Sequence, residues 1–480
     1  MKIAALFLVT AAIANASFPS VGPNYKKPDV AAPAAYLDTQ DLGSWKTAAP
    51  ADAFARGEWW KLFADTALDD LETRALAANQ DLRAAAARVE QARAAAGLAR
   101  SAYWPQIAAN GSVTREQTST TVDNATHEPL STTYRAPLSA SWELDLFGRV
   151  RRLNESAGAD ADATAATFET VRLALTADVA VNYFSLRALN EELVLVRNTV
   201  GLRQRALDLV SARLKSGTAA ELDLARAETE LATTETEAAS LASRRSALQD
   251  SLAVLLGEPA SAFAFKTASA TAALPAVPAG IPSELLERRP DIAAAERSLA
   301  AANARIGVAK AAFFPAISLT GAAGYASSDI DRLFTTDSRI WSIGPSLYLP
   351  IFQGGRNRAN LAHSRAAYDE AVAVFRQRVL IAFREVQDAL TASRFLGEQS
   401  TAQEHALASA QRATTLAQIR YDSGYVSYLE VIDAQRTALT VQRANTQLAA
   451  QRLNTQVALI KSLGGGWSRP TTLTVASVSN

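Results

Sequence analysis

The sequence predicts a mainly α-helical protein with a membrane β-barrel. Long antiparallel helices form a helical barrel, which continues into strands that several copies of the chain must share. Three observations predict it: helical runs too long for a globular domain, four short alternating segments, and a chain that repeats itself. The longest helical stretch runs from Gly354 to Leu463. Ala359, Ala362, Ala366, Ala373, Phe383, Val386 and Leu390 recur at steps of three and four residues or their sums, the spacing of a helix face. At 1.5 Å per residue the part ending at Tyr421 would be roughly 100 Å long, beyond the width of a single domain. Asp422-Ser423-Gly424 interrupts it, so Gly424 reads as a hairpin turn.

The two halves of the chain echo each other. Asp81-Leu82-Arg83-Ala84-Ala85 corresponds to Asp291-Ile292-Ala293-Ala294-Ala295, Tyr103-Trp104-Pro105 to Phe313-Phe314-Pro315, and Leu146-Phe147 to Ile351-Phe352. Ser216-Gly217 with Leu222 matches Ser423-Gly424 with Leu429, and Leu256-Gly257 matches Leu463-Gly464. The landmarks stay about 205–210 residues apart throughout, which reads as a tandem duplication.

Each repeat parses in the same order. Residues 1–16 have one lysine, a short apolar run and Ala14-Asn15-Ala16, the form of a cleavable secretory signal. Residues 17–66 make an N-terminal segment that joins a belt at mid-height. Repeat 1 covers 67–257: a helix over 67–104 that ends at Pro105, a strand over 106–114, a polar loop, a strand over 138–146, a long helix over 149–215, a turn at Gly217 and a shorter helix over 219–256. A linker over 258–282 follows. Repeat 2 covers 283–463: helix 283–313, strands 316–325 and 340–352, helix 356–421, the turn at Gly424 and helix 426–463. Residues 464–480 return to the belt.

Composition excludes several functions. The chain has 480 residues, of which 49% are hydrophobic, and its formal net charge is zero, so nothing favours a nucleic-acid partner held by charge. It has no cysteine, which removes disulfides, thiolate metal sites, a cysteine nucleophile and an N-terminal lipid anchor. His127, His363 and His405 stand apart without spaced metal ligands. Gly464-Gly465-Gly466 follows a helix rather than a strand, so it is not a dinucleotide loop. No enzyme constellation, cofactor or metal site is expected.

The strands set the decisive constraint. In 138–146, Leu138, Ala140, Trp142, Leu144 and Leu146 alternate with Ser139, Ser141, Glu143 and Asp145. In 340–352, Trp341, Ile343, Leu347, Leu349 and Ile351 form the apolar side. Strands of about nine residues with one apolar face and interfacial aromatics fit a transmembrane barrel. Open sheet edges are not tolerated in hydrocarbon, and four strands cannot close, so two chains with eight strands or three with twelve must pool them. Trp142, Leu144, Leu347 and Leu349 are the expected lipid-facing residues.

Three motifs then carry a family resemblance: Val21-Gly22-Pro23-Asn24-Tyr25, Arg288-Arg289-Pro290-Asp291-Ile292, and Tyr428 through Arg436, which reads Tyr-Leu-Glu-Val-Ile-Asp-Ala-Gln-Arg. Together with the duplicated layout they resemble the TolC-type outer-membrane factors, and within them the NodT-like efflux proteins. Lipidated members carry a cysteine just before the first motif; here Ser17-Phe18-Pro19-Ser20 stands there. The resemblance implies a homotrimer with a twelve-stranded barrel in the outer membrane of a Gram-negative bacterium, and helices that reach into the periplasm. It also implies a passive exit duct for small toxic compounds, a periplasmic adaptor protein, and an inner-membrane pump of the resistance-nodulation-division class. It assigns Leu429 and Asp433 to an apolar and an acidic ring at a closed mouth, with Arg420 tying the tip, and it sets Arg213, Gly217, Arg420 and Gly424 against the adaptor. The repeat-1 counterparts of the gate pair are Leu222 and Arg226, and a pairing of Arg226 with Asp433 is left open. The rival readings are an exit duct for type I protein secretion and, in another class, a soluble periplasmic coiled-coil scaffold.

Overall fold

The computed structural model describes residues 20–29, 57–119, 121, 130–265, 274–275 and 288–466. The expected signal peptide and most of the expected belt and linker segments lie outside these residues. The chain divides into two units. One comprises Met1–Asp29, Arg88–Ala165 and Ala294–Arg376; the other comprises Val30–Ala87, Ala166–Ala293 and Gln377–Asn480.

In chain order the principal elements are α1 (Thr66–Ala78), α2 (Gln80–Ser101), β1 (Gln106–Ala109), β2 (Ser112–Gln117), β3 (Leu130–Leu144), α3 (Arg149–Lys215), α4 (Glu221–Leu255), α5 (Pro290–Ala311), β4 (Ala316–Ser327), β5 (Arg339–Tyr348), α6 (Arg356–Asp422) and α7 (Tyr428–Ser462). α3 and α6 each run unbroken for 67 residues.

The first unit holds the sheet, an antiparallel array in the order β1 and β2, β3, β4, β5. β1 and β2 keep one register against β3, from Gln106 opposite Ser141 to Gln117 opposite Leu130, so they act as a single strand. The gap between them faces Pro137, whose nitrogen has no hydrogen to donate; Asn110 still donates to the Pro137 carbonyl at 3.0 Å. The strand expected over 106–114 therefore reaches Gln117. Its partner starts at Leu130, not at 138, because the polar Ser131, Thr132 and Thr133 pair with β2 as well as apolar residues would. β5 ends at Tyr348, short of 352, and Pro350 follows; Leu349 thus lies just beyond the strand.

Register sorts the side chains. Ile107, Ala140, Gly321 and Ile343 line up on one face, as do Leu144, Ile317 and Leu347. The other face carries Ala108, Ser139, Ala322 and Ser342, then Glu143, Ser318 and Ser346. Trp341 on the apolar face is 79% exposed.

The same unit explains the first resemblance motif. Residues 20–25 form a strap across α3 and α5. Val21 donates its N–H to the Phe147 carbonyl (3.0 Å), Asn303 donates to the Pro23 carbonyl (3.0 Å), and Arg152 donates to the Asn24 side chain (2.7 Å). Gly22 has φ +102° and presses against the Gly307 backbone, so a side chain there would be both strained and obstructed. Tyr25 closes the strap by donating to Glu296 at 3.3 Å and packs on Ala159, Ala300 and Ala301.

The second unit is helical. Its core gathers Trp59, Trp60, Phe63, Tyr183, Phe184, Leu252 and Leu390. Asp65 caps α1 by accepting from the Ala67 and Leu68 amides, and it also receives the Tyr183 hydroxyl at 2.7 Å. The single helix expected over 67–104 is in fact two. Asn79 takes extended angles, accepts the Leu82 amide at 2.9 Å as the cap of α2, and donates to the Leu255 carbonyl at 2.9 Å. A helix break is stable there because a distant carbonyl holds the asparagine.

The second motif has an equally definite place. Pro290 opens α5 and Asp291 follows in its first turn, where a missing N–H and a negative charge are both favoured. The buried Arg289 guanidinium forks onto Asp291 (3.0 and 2.8 Å), bonds the Ser462 carbonyl at the end of α7 (2.9 Å), and pairs with Glu385 on α6 (2.8 Å). These partners hold its pKa above the usual arginine value against the cost of burial.

Candidate functional site at the helix hairpin tips

Both hairpins of the helical unit turn by the same device. Gly217 and Gly424 have φ +75° and +80°, the left-handed region where glycine carries no penalty. Thr218 donates its N–H back to Arg213 (2.8 Å) and Gly217 to Leu214 (2.9 Å); Tyr425 donates to Arg420 (2.9 Å) and Gly424 to Tyr421 (3.0 Å). This six-to-one and five-to-two pattern satisfies the last carbonyls of α3 and α6. Ser216 and Ser423 add hydroxyl bonds to Arg213 and Ile419.

Side chains link the two tips. The Arg213 guanidinium lies over the Tyr421 ring, 5.1 Å from its centre, and bonds the Tyr421 hydroxyl. Tyr421 in turn meets the Tyr428 ring at 5.5 Å. Burial, then Tyr421, raises the pKa of the Tyr428 hydroxyl. Arg420 reaches across its own turn to Glu430 at 3.6 Å, where both groups are exposed.

The first turns of α7 separate two faces. Val431 and Ile432 are buried, whereas Leu429 is 40% exposed and Asp433 is exposed. Leu429 and Asp433 share a face, as their spacing predicts. Asp433 pairs with Arg436 on its own helix at 3.9 Å, and Arg226 pairs with Asp223 at 3.9 Å. The open question of an Arg226–Asp433 bond is thus answered within one chain: each finds a nearer partner.

Sequence reasoning missed the charges behind this face. Arg436 also pairs with Glu230 on α4, and Glu230 pairs with Arg203 on α3. Arg203 is 7% and Glu230 6% exposed. One heptad further on, Arg443 of α7 pairs with Glu237 of α4 and with buried Glu192 of α3, at 2.7 Å from Nε to Glu192. Equal steps on both helices mean that α4 and α7 run in the same direction, joined by a heptad ladder of ion pairs. The heptad spacing of the charges was the available signal; the partners, some two hundred residues away, were not.

Among the described residues there is no cluster of side chains suited to a metal, and no helix long and apolar enough to cross a membrane.

With this geometry in hand, the chain can be compared with known proteins. The family model described as outer membrane efflux protein matches residues 71–258 and 281–465. The toluene efflux pump outer membrane protein TtgF of Pseudomonas putida is 35% identical over 460 residues, covering 94% of this chain and 96% of the relative. Outer membrane protein OprJ of Pseudomonas aeruginosa is 36% identical over 462 residues, 95% of each chain. A crystal structure of a Pseudomonas aeruginosa membrane protein superposes with a TM-score of 0.86 at 34% identity, covering 95% of this chain and 100% of that one. By these matches along nearly its whole length, the chain belongs to the outer membrane efflux protein family and is an outer-membrane exit duct of an efflux system.

Proposed function

We propose that three copies of this chain close one twelve-stranded barrel in the outer membrane, and that their helices continue the pore to a gate at the hairpin tips. One observation carries the reading: a four-strand sheet, apolar on one face and polar on the other, whose edge strands β1–β2 and β5 both lack a partner among the described residues. In lipid such edges must be paired by other copies. Trp142, Leu144, Leu347 and, just past the strand, Leu349 then face lipid.

At the tips, Leu429 and Asp433 form the apolar and acidic rings of the mouth. Three carboxylates brought together would repel one another unless cations lie beside them; Arg436 and Arg420 supply these, and the paired ring then holds the mouth closed. Arg213, Gly217, Arg420 and Gly424 present the turn surfaces to a periplasmic adaptor. An inner-membrane pump of the resistance-nodulation-division class provides the energy, and the duct itself is passive.

Single-channel recording in planar bilayers tests the gate. Replacing Asp433 and Arg420 with alanine should raise conductance several-fold. A conductance equal to that of the unaltered protein would remove these residues from the gate while leaving the barrel intact. A monomer by native mass spectrometry in detergent would remove the barrel.

A further inference from the structure

The charges of the sheet are sorted between its faces. Its strands carry five charged residues: Arg115, Glu116, Arg135, Glu143 and Arg339. Register places Arg115 opposite Thr132, and Arg339 opposite Tyr325, all on the apolar face. Glu116, Arg135 and Glu143 fall on the polar face. The apolar face therefore has no carboxylate and two guanidinium groups.

Their height is equally uneven. Both stand at the loop end of the sheet, away from the ends where the strands join helices. Each sits just rimward of an aromatic level: Val113 opposite Tyr134 comes two residues below Arg115, and Trp341 comes two residues below Arg339. Both arginines are exposed, and neither makes an ion pair among the described residues.

A guanidinium facing hydrocarbon is costly, and it is tolerated at the interface where an anion can receive it. Its planar fork matches two oxygens of a phosphate, whereas the tyrosine and tryptophan rings below suit the boundary between headgroup and acyl chain. We propose that the loop-end rim of the apolar face binds the phosphates of an anionic lipid headgroup in the outer leaflet, through Arg115 set above Tyr134 and Arg339 set beside Tyr325 and above Trp341. The inference rests on the reading that this sheet lies in the outer membrane. β1–β2 and β5 are the two edges of the sheet, so closing it on further copies puts these arginines on adjoining strands and concentrates the charge at each seam.

The test uses the full-length protein in nanodiscs of phosphatidylcholine, with and without bisphosphorylated lipid A, and reads the temperature at which the assembled oligomer dissociates. Lipid A should raise that temperature by several degrees for the unaltered protein and for Arg135→Gln, whose charge lies on the other face. The gain should vanish in the Arg115→Gln, Arg339→Gln double variant, with no change in phosphatidylcholine alone. Should the double variant fail to insert, Arg115→Lys and Arg339→Lys keep the charge without the fork, and each should lose about half the gain. An equal gain in the double variant, or in both lysine variants where these are used, would overturn the proposal. So would an equal gain from inorganic phosphate, or its loss in Arg135→Gln. Failure of the unaltered protein to insert into either membrane would instead overturn the underlying reading of the sheet.

Discussion

The two hairpin tips share a backbone and differ in their chemistry. Both turn at a glycine near φ +80°, and both return the same pair of amides to the same pair of carbonyls. Beyond the turn each places a leucine, Leu222 or Leu429, at the same position, and both are exposed. One turn further on the repeats diverge. The first has Arg226 paired locally with Asp223; the second has Asp433 paired locally with Arg436. The asymmetry deepens behind that point, because Arg436 also reaches the buried Glu230, and through it Arg203. The shared parts are those the turn geometry requires. The divergent parts join the hairpins unequally: the second contributes Arg436, and the first contributes the buried Glu230 and Arg203.

The sharpest way to break this contrast is to remove the buried carboxylate. Glu230→Ala leaves Arg203 buried without its partner and should destabilise the protein by about 3–5 kcal/mol in chemical denaturation, the range for breaking a buried pair. Asp223→Ala, an exposed acid on the same helix α4, serves as the reference. A loss at Glu230 no greater than at Asp223 would mean that the network contributes nothing beyond a surface pair.

Glu72 on α1 provides a foil, a buried acid handled in the opposite way. It is fully buried, neither carboxyl oxygen has a hydrogen-bond partner, and burial followed by the Asp69 charge pushes its pKa up to about 9. The folded protein therefore holds it as the neutral acid, while the unfolded chain ionises it near the ordinary carboxylate value. Its stabilising effect is complete below that ordinary value and declines as pH rises towards about 9. The slope is at most about 1.4 kcal/mol per pH unit. Glu72→Gln should flatten the stability profile between neutral pH and the alkaline side, and an unchanged slope would show that Glu72 ionises in place.

The turn glycines sharpen the shared half of the comparison. Gly217→Ala and Gly424→Ala each put a side chain into the left-handed region and should cost about 1–2 kcal/mol apiece. Unequal losses would show that the two turns are not under the same constraint. The smallest effect is expected at Asp223→Ala itself, an exposed pair worth about 0–1 kcal/mol that salt should erase.

Much of the helical part was legible because its signals are local. The three- and four-residue spacing from Gly355 onward, Pro290 at a helix start, and the glycines after α3 and α6 are all read within a few residues of where they act. The tip residues were legible to the same depth: Leu429 and Asp433 share a face, as spacing alone says. The strand limits were less so. Ser131, Thr132 and Thr133 read as loop by composition, yet they pair, because a ladder bonds backbone groups whatever the side chains are.

Alone, then, the sequence determined period, turn and sidedness: which stretches are helix, where they fold back, and which residues of each strand are apolar. These follow from backbone sterics and side-chain spacing over a turn or a pleat. Only the tertiary structure decided that Asn79 interrupts a helix, since the Leu255 carbonyl that holds it comes from α4. Likewise, only the fold decided that Arg436 has Glu230 to answer, and that Arg115 and Arg339 share one face of the sheet without a carboxylate beside them. Such pairings join residues far apart in the chain, and their energies exist only once packing has brought them together and taken the water away.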